Sequence, residues 1–143
     1  PGSFGFTSTL DDYMRFARML ANGGALDGAR ILRPETVRLM ATNHLDDAIT
    51  DRSWLPSKGQ GGFGIDFAVR TRPPASADEA SGAVGEFFWD GAASTLFWVD
   101  PANDLAAVMF VQIMPFDPPR LHKLFRDAVY AGTPPAAPGG VTD

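Results

Sequence analysis

Between Gly85 and Asp104 the chain spells out an antiparallel reversal that leaves little choice of fold. Gly85-Glu86-Phe87-Phe88-Trp89-Asp90-Gly91 and Ala92-Ala93-Ser94-Thr95-Leu96-Phe97-Trp98-Val99 read as two short strands around a tight glycine turn. A second turn signal, Asp100-Pro101-Ala102-Asn103-Asp104, leads into an almost wholly apolar run from Leu105 to Ile113. Aromatic and β-branched residues suit a pleated, half-buried surface, and breaks this short allow only tight reversals. Strands are therefore predicted at about 83–89, 94–99 and 105–113. Upstream, Gly62 to Val69 alternates, with Phe63, Ile65, Phe67 and Val69 on one face and the glycines, Asp66 and Ala68 on the other, predicting a fourth strand.

Helices flank this meander. Thr9 and Asp12 fit a capping box, after which Tyr13, Phe16, Ala17 and Leu20 share one face until Asn22-Gly23-Gly24. Pro34 stands at the first position of a second helix with Glu35 in its first turn, Val37, Met40 and Ala41 on its apolar face and Asn43 as its stop. Residues 44–60 show no period. A last helix is predicted from Pro119 to Tyr130, burying Leu121, Leu124, Phe125, Ala128 and Val129. The domain reading is 1–130 as one folded unit and 131–143 as a disordered tail rich in Pro, Gly and Ala. Two helices, an antiparallel sheet and a closing helix make an α+β fold.

Composition removes several function classes. At 143 residues one domain is expected, able to bury roughly 70% of its unfolded surface. A net charge of −5 offers no basic stripe for phosphates, so neither nucleic acid nor an anionic membrane is an expected partner. With no cysteine there is no disulfide, thiolate metal site or cysteine nucleophile. His44 and His122 are the only histidines, and neither lies at metal-ligand spacing, so each reads as a surface or capping residue. Asp46, Asp47 and Asp51 read as solvated loop charge. No apolar run approaches the roughly 18 residues of a membrane span.

The stretch Trp89-Asp90-Gly91 with Phe97-Trp98-Val99-Asp100-Pro101 downstream resembles the third active-site motif of the serine β-lactamase and penicillin-binding-protein superfamily. The likeness is to its carboxylesterase branch, the family VIII-like esterases, and extends over most of residues 2–130. It implies an incomplete β-lactamase-like, or transpeptidase-like, domain: the C-terminal part of a hydrolase in a soluble protein of the bacterial cytoplasm or periplasm. In β-lactamases the motif is Lys-Thr-Gly, whose cation draws the substrate carboxylate; the esterase branch commonly carries Trp-Gly-Gly. Trp89, Asp90 and Gly91 are thereby the candidate substrate-binding residues. Asp90 departs from the pattern, and its carboxylate either points away from the pocket or alters substrate preference. Gly91 permits close backbone approach. Ala92 matches the position whose backbone N–H supplies half of the oxyanion hole, the candidate catalytic contribution of this chain.

The nucleophile is absent from the sequence. None of Ser3, Ser8, Ser53, Ser57, Ser76, Ser81 and Ser94 is followed three residues later by Lys. Tyr-x-Asn fails at both Tyr13 and Tyr130, and there is no Gly-x-Ser-x-Gly elbow. The expected function is therefore the C-terminal part of a serine hydrolase acting on ester, amide or β-lactam bonds, inactive alone. The resemblance implies no metal and no organic cofactor. Expected partners are the N-terminal half of the same enzyme or a second copy of this chain, and a small ester substrate. The competing class is a non-catalytic interaction module that binds through an open sheet edge. Leu105–Ile113 would be that edge, and an apolar edge left unpaired invites association.

Overall fold

Thr9 opens the first helix as the capping pattern predicts. In the computed structural model, which describes residues 6–52, 61–116 and 120–132, the Asp12 amide donates to Thr9 Oγ1 at 3.1 Å and the hydroxyl donates to Asp12 Oδ2 at 2.9 Å. Helix α1 (Leu10–Ala21) ends where Gly24 N–H donates to Met19 O and Gly23 N–H to Leu20 O. A two-stranded ribbon, β1 (Ala25–Leu26) and β2 (Ala29–Arg30), turns through Asp27-Gly28 and leads to α2 (Pro34–Met40). Arg33, the residue before α2, makes no side-chain cap. Asn43 does not end the helix. Its Oδ1 instead accepts from the amides of Leu45 and Phe63, tying the loop to the sheet.

The sheet has five strands where the sequence predicts four. These are β3 (Gly61–Phe63), β4 (Ala68–Arg70), β5 (Phe87–Asp90), β6 (Leu96–Asp100) and β7 (Leu105–Met109), antiparallel and in chain order. The alternating run 62–69 is not one strand but a hairpin. Asp66 adopts a positive φ of 73°, Gly64 N–H donates to Phe67 O, and Ile65 N–H donates to Met40 O. The reversal puts Phe67 and Val69 on one face of the sheet and Phe63 on the other, while Ile65 is exposed. Register across the central pair places Phe88 opposite Trp98 and Trp89 opposite Phe97.

Each sheet face has its own core. Ala17, Leu20 and Val37 pack on Phe67, Val69, Phe87, Phe97, Val99 and Val108. Trp98, Phe88, Leu96, Ala68 and Ala107 face the last helix, α3 (Leu121–Gly132), through its Phe125, Val129 and Tyr130. All five residues of β6 are buried, as period-two alternation between two covered faces requires. Strand β7 lies at the edge of the sheet and pairs only with β6 among the described residues, while α1 covers one face of it.

Helix α3 departs from its predicted face. Leu124 and Ala128 are exposed, and the fully buried residue is Arg126. Its Nη1 donates to Glu86 Oε1 at 2.8 Å, as does Arg70 Nε. The guanidinium also lies over Trp98 and Phe88, 4.5 and 5.0 Å from their ring centroids. The Tyr130 hydroxyl sits between Glu86 Oε2 at 2.9 Å and Asp100 Oδ2 at 2.7 Å. Burial, then the neighbouring Glu86 charge, push the Tyr130 pKa up, so the phenol keeps its proton. The helix runs on through Ala131 and Gly132, past the expected boundary at 130. The remaining tail, and Pro119, lie outside the described residues.

A second tie joins α3 to the loop ahead of β5. Asp127 Oδ1 accepts from the Ser81 amide and hydroxyl, and Lys123 donates to Oδ2. Burial works against the charged carboxylate, but these donors outweigh it and hold Asp127 at about 2, below its ordinary 3.8. A carboxyl depressed on folding stabilises the protein above its unfolded pKa and loses that contribution as pH falls toward the folded value. The Tm difference between wild type and Asp127→Asn should therefore be constant above about pH 5 and shrink between about pH 4 and 2. The effect will be small because the carboxylate is part-exposed, and a difference that does not change with pH would disprove the assignment.

Candidate active site

Trp89 differs from its neighbours on β5. Phe87 is 2% exposed and Phe88 6%, whereas Trp89 keeps 38% of its surface open. It packs edge-to-face on Phe63, with ring centroids 5.4 Å apart, and borders a pocket of about 370 Å³. Asp90, the next residue, also lines this pocket, as do Tyr13 of α1, Phe97 of β6, and Phe110 and Gln112 just beyond β7. The stretch ahead of α1 closes one side through Phe6, Thr7 and Ser8.

The turn after β5 is held from three directions. Gly91 N–H donates to Thr95 O at 3.0 Å and Ser94 N–H to Gly91 O at 2.9 Å. Ser94 is buried with a φ of 68°, and its hydroxyl donates to Ile113 O at 3.0 Å. Ile113 N–H returns a bond to Ala93 O, and His122 Nε2 lies 2.9 Å from Ser94 O. A Cβ at Gly91 would stand 2.4 Å from Thr95 Oγ1, so a side chain there would displace Thr95 from the pocket wall. Trp89 and Asp90 thus come together in the lining. Gly91 and the exposed Ala92 lie in the adjoining turn and are not among the lining residues. These bonds fix the backbone of the turn beside the pocket.

Tyr13 is the hub of the opposite wall. It meets Phe97, Phe110 and Phe16 edge-to-face at 5.3, 5.5 and 5.5 Å. Burial raises its pKa and the charge of Asp66 raises it further, so it stands in the pocket as a neutral phenol. Among the described residues no group of His, Cys, Asp and Glu could hold a metal ion. His44 Nε2 lies 2.8 Å from Leu39 O at the end of α2, a capping contact, and His122 braces the motif turn from α3. No helix among the described residues is long and apolar enough to cross a membrane.

Sequence reasoning found Trp89 and Asp90 but not Tyr13, Phe97, Phe110 or Gln112. Tyr13 reads as the buried face of α1, and the structure gives it that role and the pocket wall together. Gln112, the one polar residue in the run from Leu105 to Ile113, carried a signal: an uncompensated amide in an apolar stretch marks a place where the chain leaves the core.

Residues 2–131 match the family model described as Beta-lactamase. "Protein Rv1367c" of Mycobacterium tuberculosis (strain H37Rv) is 42% identical over 114 residues, covering 78% of this chain and 28% of the relative. The chain therefore spans less than a third of the length of the curated relatives it matches. Among solved structures, unliganded "Simvastatin Synthase (LovD)" from Aspergillus terreus superimposes with a TM-score of 0.65 at 22% identity, over 83% of this chain and 33% of that one. "EstCE1, a hydrolase with promiscuous acyltransferase activity" gives 0.63 at 24% identity, over 84% and 29%. At such identities the likeness shows the fold, which is β-lactamase-like.

Proposed function

The chain belongs to the β-lactamase family, and on that premise we propose that it forms one wall of an acyl-transferring serine hydrolase of the carboxylesterase branch. Trp89 and Asp90 contact the substrate, Gly91 keeps the backbone close to it, and the Ala92 N–H supplies half of the oxyanion hole. The Ser-x-x-Lys and Tyr-x-Asn elements that would take up the proton and form the acyl-enzyme come from outside this sequence, from the N-terminal half of the same enzyme. The chemistry calls for neither metal nor organic cofactor. The observation that carries the reading is the half-open Trp89 beside a pocket, preceded on its strand by two phenylalanines that are buried. A tryptophan in place of the motif lysine offers a flat apolar surface with one donor and no charge, which favours esters over carboxylate-bearing β-lactams.

Two measurements test this. The 143-residue chain should not hydrolyse short p-nitrophenyl esters above background, since its sequence contains no Ser-x-x-Lys. With the Ser-x-x-Lys half supplied, esters should turn over, and Trp89→Lys should shift the ratio toward β-lactams. A hydrogen bond to a charged group is worth about 1.5–3 kcal/mol, so the shift should be ~10–100-fold. An unchanged ratio would mean that Trp89 serves packing only. A second reading, a non-catalytic module that joins a partner or a second copy through β7, is favoured by that strand's place at the sheet edge, where it pairs only with β6 among the described residues. Turnover by the completed enzyme would exclude it.

A further inference from the structure

We propose that the hydroxyls of Thr95 and Tyr13 select what enters the pocket beside Trp89, and that it takes an uncharged hydrogen-bonding group, an amide or a hydroxyl. The β5–β6 register, carried one step past Asp90 and Leu96, sets Thr95 across from Gly91, whose N–H donates to Thr95 O at 3.0 Å. The Thr95 hydroxyl fills the space that a Cβ at Gly91 would need. Period two puts Thr95 on the same sheet face as Phe97, which Trp89 opposes on β5 and Tyr13 meets from α1. All four residues border the pocket.

Neither hydroxyl makes a hydrogen bond within the chain among the described residues, although both residues are part-buried. Trp98 Nε1 is the one buried side-chain polar atom left unpaired there, so the Thr95 and Tyr13 oxygens keep contact with solvent. The exposed Gln112 brings a side-chain amide to the same lining. A molecule that fills the pocket displaces the water at these groups. A hydrocarbon would leave them unpaired, whereas an amide or hydroxyl replaces the lost bonds. An ion fares worse. The described lining residues include no Lys, Arg or His, and their one carboxylate, Asp90, already has a partner in the chain. A charged ligand would therefore give up its hydration with no unmatched counter-charge to meet it. That the group belongs to a substrate, as part of the acyl or alcohol arm of an ester, rests on the hydrolase reading above. The binding preference itself belongs to this chain's own surface.

The test uses the 143-residue chain and probes built on one ring: benzamide, the anion benzoate, the cation benzamidinium and the hydrocarbon toluene. Binding is read from the backbone N–H resonances of Gly91 and Thr95. Benzamide should shift both saturably and bind at least about fivefold tighter than either ion. Thr95→Val and Tyr13→Phe keep the shape of the side chain and lose only the hydroxyl. Each should weaken benzamide about two- to tenfold. Toluene needs only the apolar wall and should bind both variants as it binds the parent, with folding checked by circular dichroism. A loss for toluene equal to that for benzamide would make these residues packing elements and overturn the proposal. Unchanged benzamide binding in either variant, an ion that binds as tightly as benzamide, or no binding of benzamide by the folded chain would also overturn it. Lack of ester turnover in the completed enzyme would instead overturn the hydrolase reading and leave this preference standing.

Discussion

Replacing Glu86 with alanine should cost about 3–5 kcal/mol, because it leaves the buried guanidinium groups of Arg70 and Arg126 without a counter-charge. Glu86 is fully buried, and Arg70 and Arg126 are 6% and 4% exposed, so water cannot take the carboxylate's place without opening the structure. A domain of this size is stable by only about 5–15 kcal/mol, so the variant should be on the verge of unfolding at room temperature. The urea midpoint measures the loss, and a decrease below about 1 kcal/mol would disprove the role given to Glu86. Glu86→Gln should fall between, since the amide still accepts from one arginine. Replacing all three charged residues with methionine should restore much of the loss, as apolar substitutes for a buried ion cluster often equal it in stability.

The second large effect is expected at Gly64. A Cβ there would lie 1.9 Å from Met40 O and 3.0 Å from Thr42 O, both backbone atoms at the end of α2. No rotamer change can relieve such a clash. Gly64→Ala must therefore push the β3–β4 turn off α2 and break the bond from Ile65 N–H to Met40 O. Overpacking of this kind costs about 1–3 kcal/mol, at the upper end where backbone meets backbone. Gly28→Ala is the control: its φ is 80° but nothing lies within 4 Å, so only the strain of a positive φ is felt, about 1–2 kcal/mol. Fast amide exchange at Ile65 in the Gly64 variant alone would bear this out. Equal Tm losses in the two variants would count against it.

How far the fold could be read ahead of the structure depends on whether a signal is local. The Thr9 cap, the Gly23-Gly24 stop and the three strands from Phe87 to Met109 follow from neighbours in sequence, and all are present. The Gly62–Val69 alternation misled because period two says which residues could share a face, and not where a strand turns back. Asp66, a residue type that tolerates positive φ, and Gly64 two positions before it were the available hints. On α3 a hydrophobic reading gave Leu124 a place that the structure gives to Arg126, since an arginine becomes a core residue only when a distant Glu86 meets it. The site divides the same way. Trp89 and Asp90 sit in one recognisable triplet, whereas Tyr13, Phe97 and Phe110 converge from elements that only the folded chain brings together.

The clasp between α3 and the sheet bears on how the chain is made. The α1 face of the sheet is assembled from residues up to Val108 and can consolidate as soon as those have left the ribosome. Trp98, Phe88 and Glu86 obtain much of their cover from α3, some 30 to 40 positions later. During that interval a broad aromatic surface and a carboxylate already paired with Arg70 face solvent on a sheet with an open edge. The nascent chain therefore passes through a stage at which it is sticky on one side, the condition in which chaperones bind and neighbouring copies aggregate. Synthesis slowed just after β7 would prolong that exposure, and rapid delivery of α3 would end it.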